Sequence, residues 1–398
     1  MSEKSGRPRV LVLNHFAAPR GQAGGTRHVE LFSRLGDWDY LIIAADKNHL
    51  TGKTVTAEAG LLPVPTISYT SNGFRRILNW VSYCCSALWA GLRQRRVDVI
   101  YASSPHLLAG LAGLVLAKIR CVPFVLEIRD LWPHILVHMG QMSESSRIYR
   151  SLTMLEEILY RHADRIVVMA PGTEVDLESR GIPSAKIVYV PNGADPADFL
   201  PSADRSVLRE RYGFSRMTAV YAGAHGPANG LDLVLSAANE VAPMPLDIVL
   251  VGSGVAKSAL EEQAAEMKLS NLRFLDPVPK TEIADILYAA DLGLHVLADV
   301  ELFRTAVSPN KLFDYMAAGL PVLTNSPGLV GDIVVGAGCG WAVSPDGLAG
   351  GLRDFVDEDE ASRVARGLSG QDWLGANQSR SAMAKRLSAM FAEVKNGN

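Results

Sequence analysis

The sequence predicts an α/β protein with two doubly wound parallel sheets. Short apolar runs bounded by turn residues alternate with stretches of helical periodicity. Several runs are apolar along their whole length, such as residues 10–13 (Val-Leu-Val-Leu) and 248–251 (Ile-Val-Leu-Val). Such runs are typical of strands covered by helices on both faces. Each half of the chain contains its own series of alternating strands and helices, which predicts one sheet in each half.

The predicted elements follow in chain order. In the first half, strands are predicted at 10–16, 40–45, 97–102, 123–128, 165–170 and 187–190, with helices at 26–35, 74–94, 107–119, 145–162 and 172–179. In the second half, strands are predicted at 218–222, 246–251, 271–275, 291–296, 321–324 and 340–343, with helices at 231–241, 256–267, 281–290, 311–317 and 348–356. An amphipathic stretch at 372–394 has no strand after it.

The length of 398 residues, at about 150 residues per domain, predicts two or three domains. We expect an N-terminal domain over 1–195 and a C-terminal domain over 216–370. A linker is expected at 196–215, where Asp-Pro and Leu-Pro-Ser interrupt the pattern. Residues 371–398 are expected to form a helix that extends the second domain or packs back on the first.

The composition excludes several classes of protein. With 48% hydrophobic and 20% charged residues, the chain is neither disordered, nor collagen-like, nor a small disulfide scaffold. Its four cysteines show no CxxC pair and no metal-ligand spacing, which favours reduced thiols in a cytoplasmic protein. The first residues lack an apolar segment long enough for a signal peptide, so no export is expected.

Charge is distributed unevenly along the chain. Residues 1–170 carry 20 Lys and Arg against 13 Asp and Glu, a balance of +7, and residues 171–398 carry a balance of −10. The basic half is expected to favour an anionic surface. Nucleic acid is not an expected partner, because the sequence has neither a basic-aromatic strip nor a helix-turn-helix or finger spacing.

Residues 74–96 allow two interpretations. The stretch 77–92 holds 16 uncharged residues, which is short of the roughly 20 needed to span a bilayer. Arginines flank it at both ends, and Trp80 and Trp89 lie within it. It therefore fits a helix at the interface of an anionic membrane. It fits equally well a helix packed on the sheet.

Candidate site residues lie in the loops after the predicted strands, because ligands of doubly wound sheets bind beyond the carboxyl ends of the strands. Glycines allow close approach of the backbone, and helix starts offer N–H groups to phosphate. Each loop also fits an ordinary connection. The glycine-rich loops contribute Gly24, Gly25, Gly223, His225, Gly226 and Asn229.

Two pairs of charged residues stand out among these loops. Asp130 and Arg129 follow the strand at 123–128, where a carboxylate beside an arginine could orient a hydroxyl and accept its proton. An internal ion pair at the end of this strand is the alternative. Lys311 and Asp314 lie three residues apart at the start of a short helix. They suit a phosphate and a ribose diol respectively, or else form a surface pair.

Residues 308–321 (Ser-Pro-Asn-Lys-Leu-Phe-Asp-Tyr-Met-Ala-Ala-Gly-Leu-Pro) resemble the signature P-x-K-L-x-E-Y-M-A-x-G-x-P of retaining family 4 glycosyltransferases. Other segments follow the family order, including 190–193 (Val-Pro-Asn-Gly) and 251–254 (Val-Gly-Ser-Gly). Residues 129–133 (Arg-Asp-Leu-Trp-Pro) look like the bacterial surface-polysaccharide branch, near transferases of N-acetylated deoxyamino sugars. The resemblance covers essentially the whole chain.

The resemblance implies a GT-B fold, in which two Rossmann-like domains face each other across a cleft. It implies retaining transfer of a hexosyl or N-acetylhexosaminyl group from a nucleotide-sugar, with UDP-sugars favoured. The implied acceptor is a polyprenyl-linked or other glycan, and the enzyme would be cytoplasmic, at the inner face of the plasma membrane. No metal and no cofactor are implied. Alternatives are a soluble small-molecule acceptor, a GT-B sugar-nucleotide 2-epimerase, and a non-catalytic binding module.

The resemblance also implies roles for single residues. Asp130 and Arg129 would place the acceptor, Lys311 would meet the pyrophosphate and Asp314 would hold the ribose. The remaining donor-binding residues would be Gly24, Gly25, Gly223, His225, Gly226, Asn229, Gly252, Gly254, Ser308 and Asn310. Two positions depart from the family. Ala306 replaces the first glutamate of a paired motif, and the loop at 223–230 lacks the usual arginine and lysine.

Overall fold

A computed structural model describes residues 6–22, 24–69, 74–104, 106–140, 142–308 and 310–397. The chain forms two compact units, and each is built around one parallel sheet flanked by helices. The predicted α/β class with two Rossmann-like sheets is confirmed. Unit 1 comprises Met1–Arg20, Gly24–Pro191 and Arg380–Asn398, and unit 2 comprises Gly21–Ala23 and Asn192–Ser379.

Seven parallel strands form the sheet of unit 1. They are β1 (Arg9–Leu13), β2 (Asp39–Ala45), β3 (Leu61–Val64), β4 (Val99–Ser103), β5 (Phe124–Ile128), β6 (Arg165–Val168) and β7 (Ile187–Tyr189). Their order is β3-β2-β1-β4-β5-β6-β7. The winding direction therefore reverses between β1 and β4. Ligands of doubly wound sheets bind at such a reversal, beyond the carboxyl ends of the strands.

Strand β3 is the element of this sheet that the sequence does not predict. Pro63 lies inside it and Pro65 follows it directly. Proline has no N–H to donate, so a short run with two prolines argues against a strand. The structure places β3 at the edge of the sheet beside β2, where proline is tolerated.

The helices of unit 1 cover both faces of its sheet. They are α1 (Arg27–Phe32), α2 (Phe74–Leu92), α3 (Leu107–Arg120), α4 (His134–His138), α5 (Arg147–His162), α6 (Pro171–Ser179) and α15 (Arg380–Asn396), with a 3-10 turn at Ser184–Lys186. Helix α3 packs between α2 and α5. None of the helices in the described ranges is long and apolar enough to cross a bilayer.

Helix α2 packs one face on the rest of unit 1 and exposes the other, so the packed-helix interpretation of 74–96 holds for the inner face, and contact of the outer face with a membrane stays a prediction. On the inner face Tyr83 is fully buried, and its hydroxyl donates to the carbonyl of Ile43 at 2.8 Å. Trp80 stacks on His106 with ring centroids 5.0 Å apart, so it belongs to the inner face. The outer face consists of side chains that are 44–59% exposed, namely Ile77, Val81, Trp89 and Leu92.

The last helix completes the core of unit 1. Phe391 lies with its ring centroid 6.1 Å from that of Phe32 and 5.4 Å from that of Trp38. The buried Arg380 donates from Nε to Glu30 Oε2 at 3.1 Å. The segment expected as one piece at 371–398 is therefore divided: its first residues end a helix of unit 2, and α15 belongs to unit 1.

Unit 2 repeats the architecture with six parallel strands. They are β8 (Met217–Ala222), β9 (Leu246–Val251), β10 (Leu272–Leu275), β11 (Leu292–His295), β12 (Val322–Thr324) and β13 (Gly340–Ala342). The order is β10-β9-β8-β11-β12-β13, so the reversal lies between β8 and β11. The α-helices are α7 (Arg205–Tyr212), α8 (Leu231–Glu240), α9 (Lys257–Glu266), α10 (Lys280–Ala289), α11 (Asn310–Ala317), α12 (Leu329–Gly336), α13 (Leu348–Asp357) and α14 (Glu360–Asn377). Short 3-10 helices are formed by Pro196–Phe199, Pro227–Asn229 and Glu301–Arg304.

The linker predicted at 196–215 is wrong, because these residues belong to the packed structure of unit 2. Phe199 and Leu208 are buried in its core. Arg209 donates from Nη1 to Asp291 Oδ2 at 2.9 Å, and the backbone N–H of Ser202 donates to Asp285 Oδ1 at 2.7 Å. The proline and polar residues that suggested a linker instead form turns around a short helix.

Candidate active site

A fully buried carboxylate lies at the centre of unit 1. Glu127 on β5 accepts hydrogen bonds at Oε1 from Arg27 Nε (3.1 Å) and Nη2 (3.0 Å). Its Oε2 accepts from His28 Nε2 and from Ser103 Oγ, both at 2.6 Å. Burial alone raises the pKa of Glu127, but the neighbouring charges and donated hydrogen bonds hold it well below its usual range. The internal ion pair considered for this strand therefore exists, but it joins Glu127 to Arg27.

Two histidines meet at the reversal of the unit 1 sheet. His15 follows β1, His106 follows β4, and His15 Nδ1 lies 2.7 Å from His106 Nε2. The backbone N–H of Ala109 donates to His106 Nδ1 at 3.3 Å, so the proton of His106 is on Nε2 and is donated to His15. Burial lowers the pKa of both rings, to about 3 for His15. Both histidines are neutral at pH 7, and the sequence analysis did not select them.

Aromatic rings surround this histidine pair. Phe16 and Tyr83 each stack on His15 with ring centroids 4.5 Å apart. Trp80 stacks on His106, and the ring of Trp132 meets that of Trp80 edge-on at 5.6 Å. The reversal of the sheet thus carries an aromatic wall, which adds an apolar surface to the loops that contain the candidate site residues.

Arg129 and Asp130 follow β5 directly and lie at the same edge of the sheet. The backbone N–H of Arg129 donates to Ser104 Oγ at 3.0 Å, which fixes the start of the loop. The Asp130 side chain is exposed and that of Arg129 is half-buried. Surrounding protein atoms raise the pKa of the Asp130 carboxyl, and the charge of Arg129 opposes this effect. Within the described residues, neither side chain forms a hydrogen bond or an ion pair, in contrast to Glu127.

Gly24 and Gly25 form a turn after β1. Both have φ of +70°, a left-handed conformation that favours glycine. A Cβ on Gly25 would collide with the carbonyl oxygen of Phe16, so the turn itself requires glycine there. Helix α1 behind the turn has only six residues, which limits its attraction for an anion. Contact of these glycines with the donor stays a prediction.

Lys311 lies at the carboxyl edge of the unit 2 sheet. Its Nζ donates to Asn229 Oδ1 at 2.9 Å and lies 4.9 Å from the ring centre of Tyr221. A Cβ on Gly223 would lie 3.0 Å from Lys311 Cε, so glycine gives the lysine room. Surrounding protein atoms lower the pKa of Lys311 to about 8. The structure thus brings together three of the predicted donor residues.

The other predicted residues of helix α11 have different partners. Asp314 Oδ1 accepts from Lys280 Nζ at 3.3 Å, so Asp314 and Lys311 do not form the surface pair considered as the alternative. The sequence analysis did not select Lys280. Ser308 Oγ accepts from the backbone N–H of Asn192 at 2.9 Å, which ties the segment before α11 to the start of unit 2. Asn310 is exposed at the first position of α11.

The sequence analysis predicts that His225 contacts the donor, but its side chain is buried within unit 2. Its ring is fully buried, with centroids 6.0 Å from Tyr221 and 6.1 Å from Phe274, and burial lowers its pKa to about 4. Gly252 and Gly254 pack against the same loop. A Cβ on Gly252 would collide with the carbonyl oxygen of Gly223, and a Cβ on Gly254 with the backbone of His225. These residues therefore hold two loops together, while Gly226 remains half-buried at the loop surface.

Two family models match the chain. A model described as a glycosyl transferase 4-like domain matches residues 9–193, and a model described as glycosyl transferases group 1 matches residues 216–358. The chain belongs to the family 4 glycosyltransferases. The two matches fall on the two units in turn, so the family accounts for both sheets of this glycosyltransferase.

Curated relatives are also glycosyltransferases. The probable glycosyltransferase WbjE of Pseudomonas aeruginosa is 25% identical over 270 residues, which cover 67% of each chain. The putative colanic acid biosynthesis glycosyl transferase WcaI of Escherichia coli is 24% identical over 253 residues, which cover 62% of each chain. The matched region spans about two thirds of the length of these relatives.

Solved structures of the GT-B type confirm the fold of this family 4 glycosyltransferase. Sucrose-phosphate synthase from Thermosynechococcus elongatus superposes with a TM-score of 0.78 and 16% identity, covering 98% of this chain and 100% of the other. Anabaena HepE in complex with UDP-glucose superposes with a TM-score of 0.72 and 16% identity, covering 97% and 99%. At these identities the likeness shows the fold alone.

Proposed function

We propose that the protein is a retaining glycosyltransferase that moves a hexosyl or N-acetylhexosaminyl group from a UDP-sugar to a glycan or polyprenyl-linked acceptor in polysaccharide assembly. The observation that carries this proposal is the half-buried Lys311, held beside Asn229 and Gly223 at the reversal of the unit 2 sheet. A cation in this position suits a diphosphate. Two findings support the donor and pathway: HepE is solved with UDP and with UDP-glucose, and WcaI is named for colanic acid biosynthesis.

In the proposed reaction, the bond between the anomeric carbon and the diphosphate oxygen breaks. A new bond forms on the same face of the sugar to the acceptor hydroxyl oxygen, and the hydroxyl proton passes to the departing diphosphate. Negative charge accumulates on the diphosphate, so a cation fixed nearby stabilises the transition state more than the ground state. Lys311 supplies this charge, and the scheme needs no metal ion.

The remaining donor contacts are assigned by position. We assign the ribose to Asp314, whose carboxylate accepts from Lys280 and can also accept hydrogen bonds from a diol. Ser308 and Asn310 flank the start of α11, next to Lys311. On unit 1, we assign the acceptor hydroxyl to Asp130 and Arg129, whose side chains lie at the carboxyl edge and form no hydrogen bond or ion pair with another described residue.

We further propose that unit 1 binds an anionic membrane surface through the outer face of α2. Helix α3 lies beside α2 and exposes Val115 and Ile119, which widens the apolar surface. Arg93 stacks over Trp89 at 3.2 Å from the ring centre, so an aromatic ring and a cation share the surface. Amphipathic residues of this kind prefer the headgroup region. A polyprenyl-linked acceptor would be met there.

A panel of UDP-, GDP-, ADP- and dTDP-sugars tests the donor assignment by thermal stabilisation. A ligand that binds only the folded state stabilises it by about 2.7 kcal/mol at a concentration 100 times Kd. We expect stabilisation by UDP-sugars, and its loss in Lys311→Ala. Stabilisation by another nucleotide family alone would replace UDP in the proposal. The absence of stabilisation by the whole panel would contradict a nucleotide-sugar donor.

A further inference from the structure

Unit 1 holds a cluster of polar and aromatic side chains at its carboxyl edge. We call it the edge cluster; its members are His49, Arg76, Trp80, Arg129, Asp130 and Trp132. We propose that the edge cluster binds a phosphate group carried by the acceptor sugar, with Arg76 and Arg129 as the ligands of the phosphate. The inference rests on the proposed function in taking unit 1 as the acceptor side.

The position of the edge cluster is that of a ligand site. It adjoins the His15–His106 pair, which lies at the reversal of the unit 1 sheet, through Trp80. Trp80 stacks on His106, and Phe16, which stacks on His15, meets His49 edge-on at 5.1 Å. The carboxyl end of a doubly wound sheet binds ligands at this point.

The charge of the edge cluster is positive. Surrounding protein atoms, together with the smaller effects of the charges of Arg129 and Arg76, lower the pKa of His49 to about 4. His49 is therefore neutral at pH 7 and can donate or accept a hydrogen bond. Asp130 is the one carboxylate among the six members. Two cations against one anion favour an anionic ligand over a neutral or cationic one.

The charged side chains at the end of β5 are of two kinds. Some form internal hydrogen bonds and ion pairs, and others form none with the described residues. Glu127 is buried and accepts four hydrogen bonds from Arg27, His28 and Ser103, so its role is structural. Arg129 and Asp130, two and three residues later, form no side-chain hydrogen bond or ion pair with any described residue. An arginine that contributes nothing to internal pairing, next to a solvent-accessible carboxylate, is available to a ligand.

The aromatic members of the edge cluster indicate that the ligand carries a sugar ring beside its phosphate. The guanidinium carbon of Arg76 lies 5.1 Å above the Trp80 ring, and this stacking orients the planar group for hydrogen bonds at its edge. The rings of Trp80 and Trp132 stand at 76° to each other and form an apolar corner beside it. A sugar ring can pack on this corner while its phosphate meets the arginines and a hydroxyl meets Asp130. The edge cluster thus fits a sugar phosphate.

The test is calorimetric titration of the full-length protein with glucose 1-phosphate, with UDP present at saturation to fill the donor site. Methyl glucoside serves as the neutral probe. We expect glucose 1-phosphate to bind at least tenfold more tightly than methyl glucoside. Arg129→Gln and Arg76→Gln are each expected to weaken glucose 1-phosphate by about tenfold or more. Arg7→Gln, an exposed arginine just before the amino end of β1, is the matched control and should change nothing.

Three results would overturn the inference. The first is equal binding of the charged and neutral probes. The second is unchanged affinity in Arg129→Gln; because this side chain is accessible, that variant decides the question even if Arg76→Gln fails to fold. The third is loss of glucose 1-phosphate binding in Lys311→Ala, which would place the phosphate in the donor site. UDP affinity, measured in the same samples, tests the proposed donor function separately. If the protein does not bind UDP but binds glucose 1-phosphate in a manner that depends on the arginines, the donor proposal is wrong and the sugar phosphate site is still supported.

A second arm distinguishes the two sources of the phosphate. The same titration uses a sugar diphosphate attached to a polyprenyl chain, in detergent micelles. Tighter binding than glucose 1-phosphate, lost in Arg129→Gln, supports a lipid-linked acceptor. Equal, arginine-dependent binding supports a soluble sugar phosphate. Binding of the lipid that does not depend on Arg129 or Arg76 would contradict phosphate recognition by the edge cluster.

Discussion

The Nζ of Lys311 lies 2.9 Å from the Oδ1 of Asn229, and this hydrogen bond joins helix α11 to the loop after β8. The two residues are 82 positions apart in the sequence. Because both loops lie at the reversal of the same sheet, the bond holds the ammonium group where a donor diphosphate is expected. The chemistry proposed for the protein depends most directly on this cation.

Lys311→Ala should lower turnover at least tenfold, which corresponds to about 1.4 kcal/mol of transition-state stabilisation. The lysine provides the positive charge that opposes charge on the leaving diphosphate. The measurement is the steady-state rate of sugar transfer, with the nucleotide-sugar that stabilises the wild-type protein as the donor. Lys385→Ala, on the exposed side of α15, is the control for loss of an ordinary surface lysine. Wild-type turnover in Lys311→Ala would remove the residue from the mechanism.

Donor affinity should fall as pH rises above about 8. The pKa of Lys311 is lowered to about 8. The free protein therefore loses this proton above pH 8, where an exposed lysine is still protonated. Binding of a diphosphate then requires that the proton be taken up again. We expect the Kd for UDP to rise by up to about tenfold per pH unit above 8. Lys311→Arg keeps its charge and should give a flatter profile. Parallel profiles for the two proteins would argue against this titration.

Asp130→Asn should reduce transfer at least tenfold while nucleotide affinity stays close to that of the wild type. The amide keeps the size of the side chain but cannot hold the acceptor hydroxyl as a carboxylate does. Nucleotide binding is measured by titration and transfer by product formation. If both are lost together, Asp130 acts on the structure rather than on the acceptor.

Glu127→Gln should destabilise unit 1. The substitution leaves Arg27 buried without its carboxylate, and breaking a buried ion pair in this way costs about 3–5 kcal/mol. For a unit of this size, the thermal midpoint should fall by roughly 6–20 °C. Asp130→Asn, three residues away and exposed, is the matched control and should leave the midpoint unchanged. An equal loss in both variants would contradict the division of roles along β5.

Flotation with anionic vesicles tests the membrane proposal. We expect salt-sensitive binding, because each basic residue near an anionic surface contributes about 1 kcal/mol. Substitution of Arg75, Arg93, Arg95 and Arg96 by Glu should abolish flotation, and Trp89→Ala should weaken it. Arg76 is left unchanged because it stacks on Trp80. If the wild-type protein does not float at low salt, a soluble acceptor becomes the better proposal.

The strands were predictable because burial on both faces leaves a strong mark in the sequence. The run at 248–251 is apolar throughout, and it lies within β9. β3 carries no such mark, since its prolines are acceptable only at an edge, and edge positions depend on the completed sheet. The 196–215 segment was misjudged for a similar reason: Arg209 and Asp291 are 82 residues apart, and nothing local reveals their contact.

The candidate site residues were predictable where they lie together in one continuous sequence signature. Lys311 and Asp314 lie in one such run, but their partners Asn229 and Lys280 come from other loops. Of these two partners, the glycine-rich surroundings pointed only to Asn229. His15 and His106 are 91 residues apart, and single histidines after strands are too common to select. The one available signal was that each follows a strand next to the reversal of the sheet.

Helix α15 determines when unit 1 can be finished during synthesis. The strands of unit 1 have all been synthesised once Tyr189 is added, but the helix that covers Phe32, Trp38 and Tyr101 is translated after the whole of unit 2. At about 5–20 residues per second, the apolar side of that sheet waits roughly 10–40 seconds for its cover. Unit 2 is complete by Ser379 and can fold first. All residues of unit 2 are therefore made before the core of unit 1 can be completed.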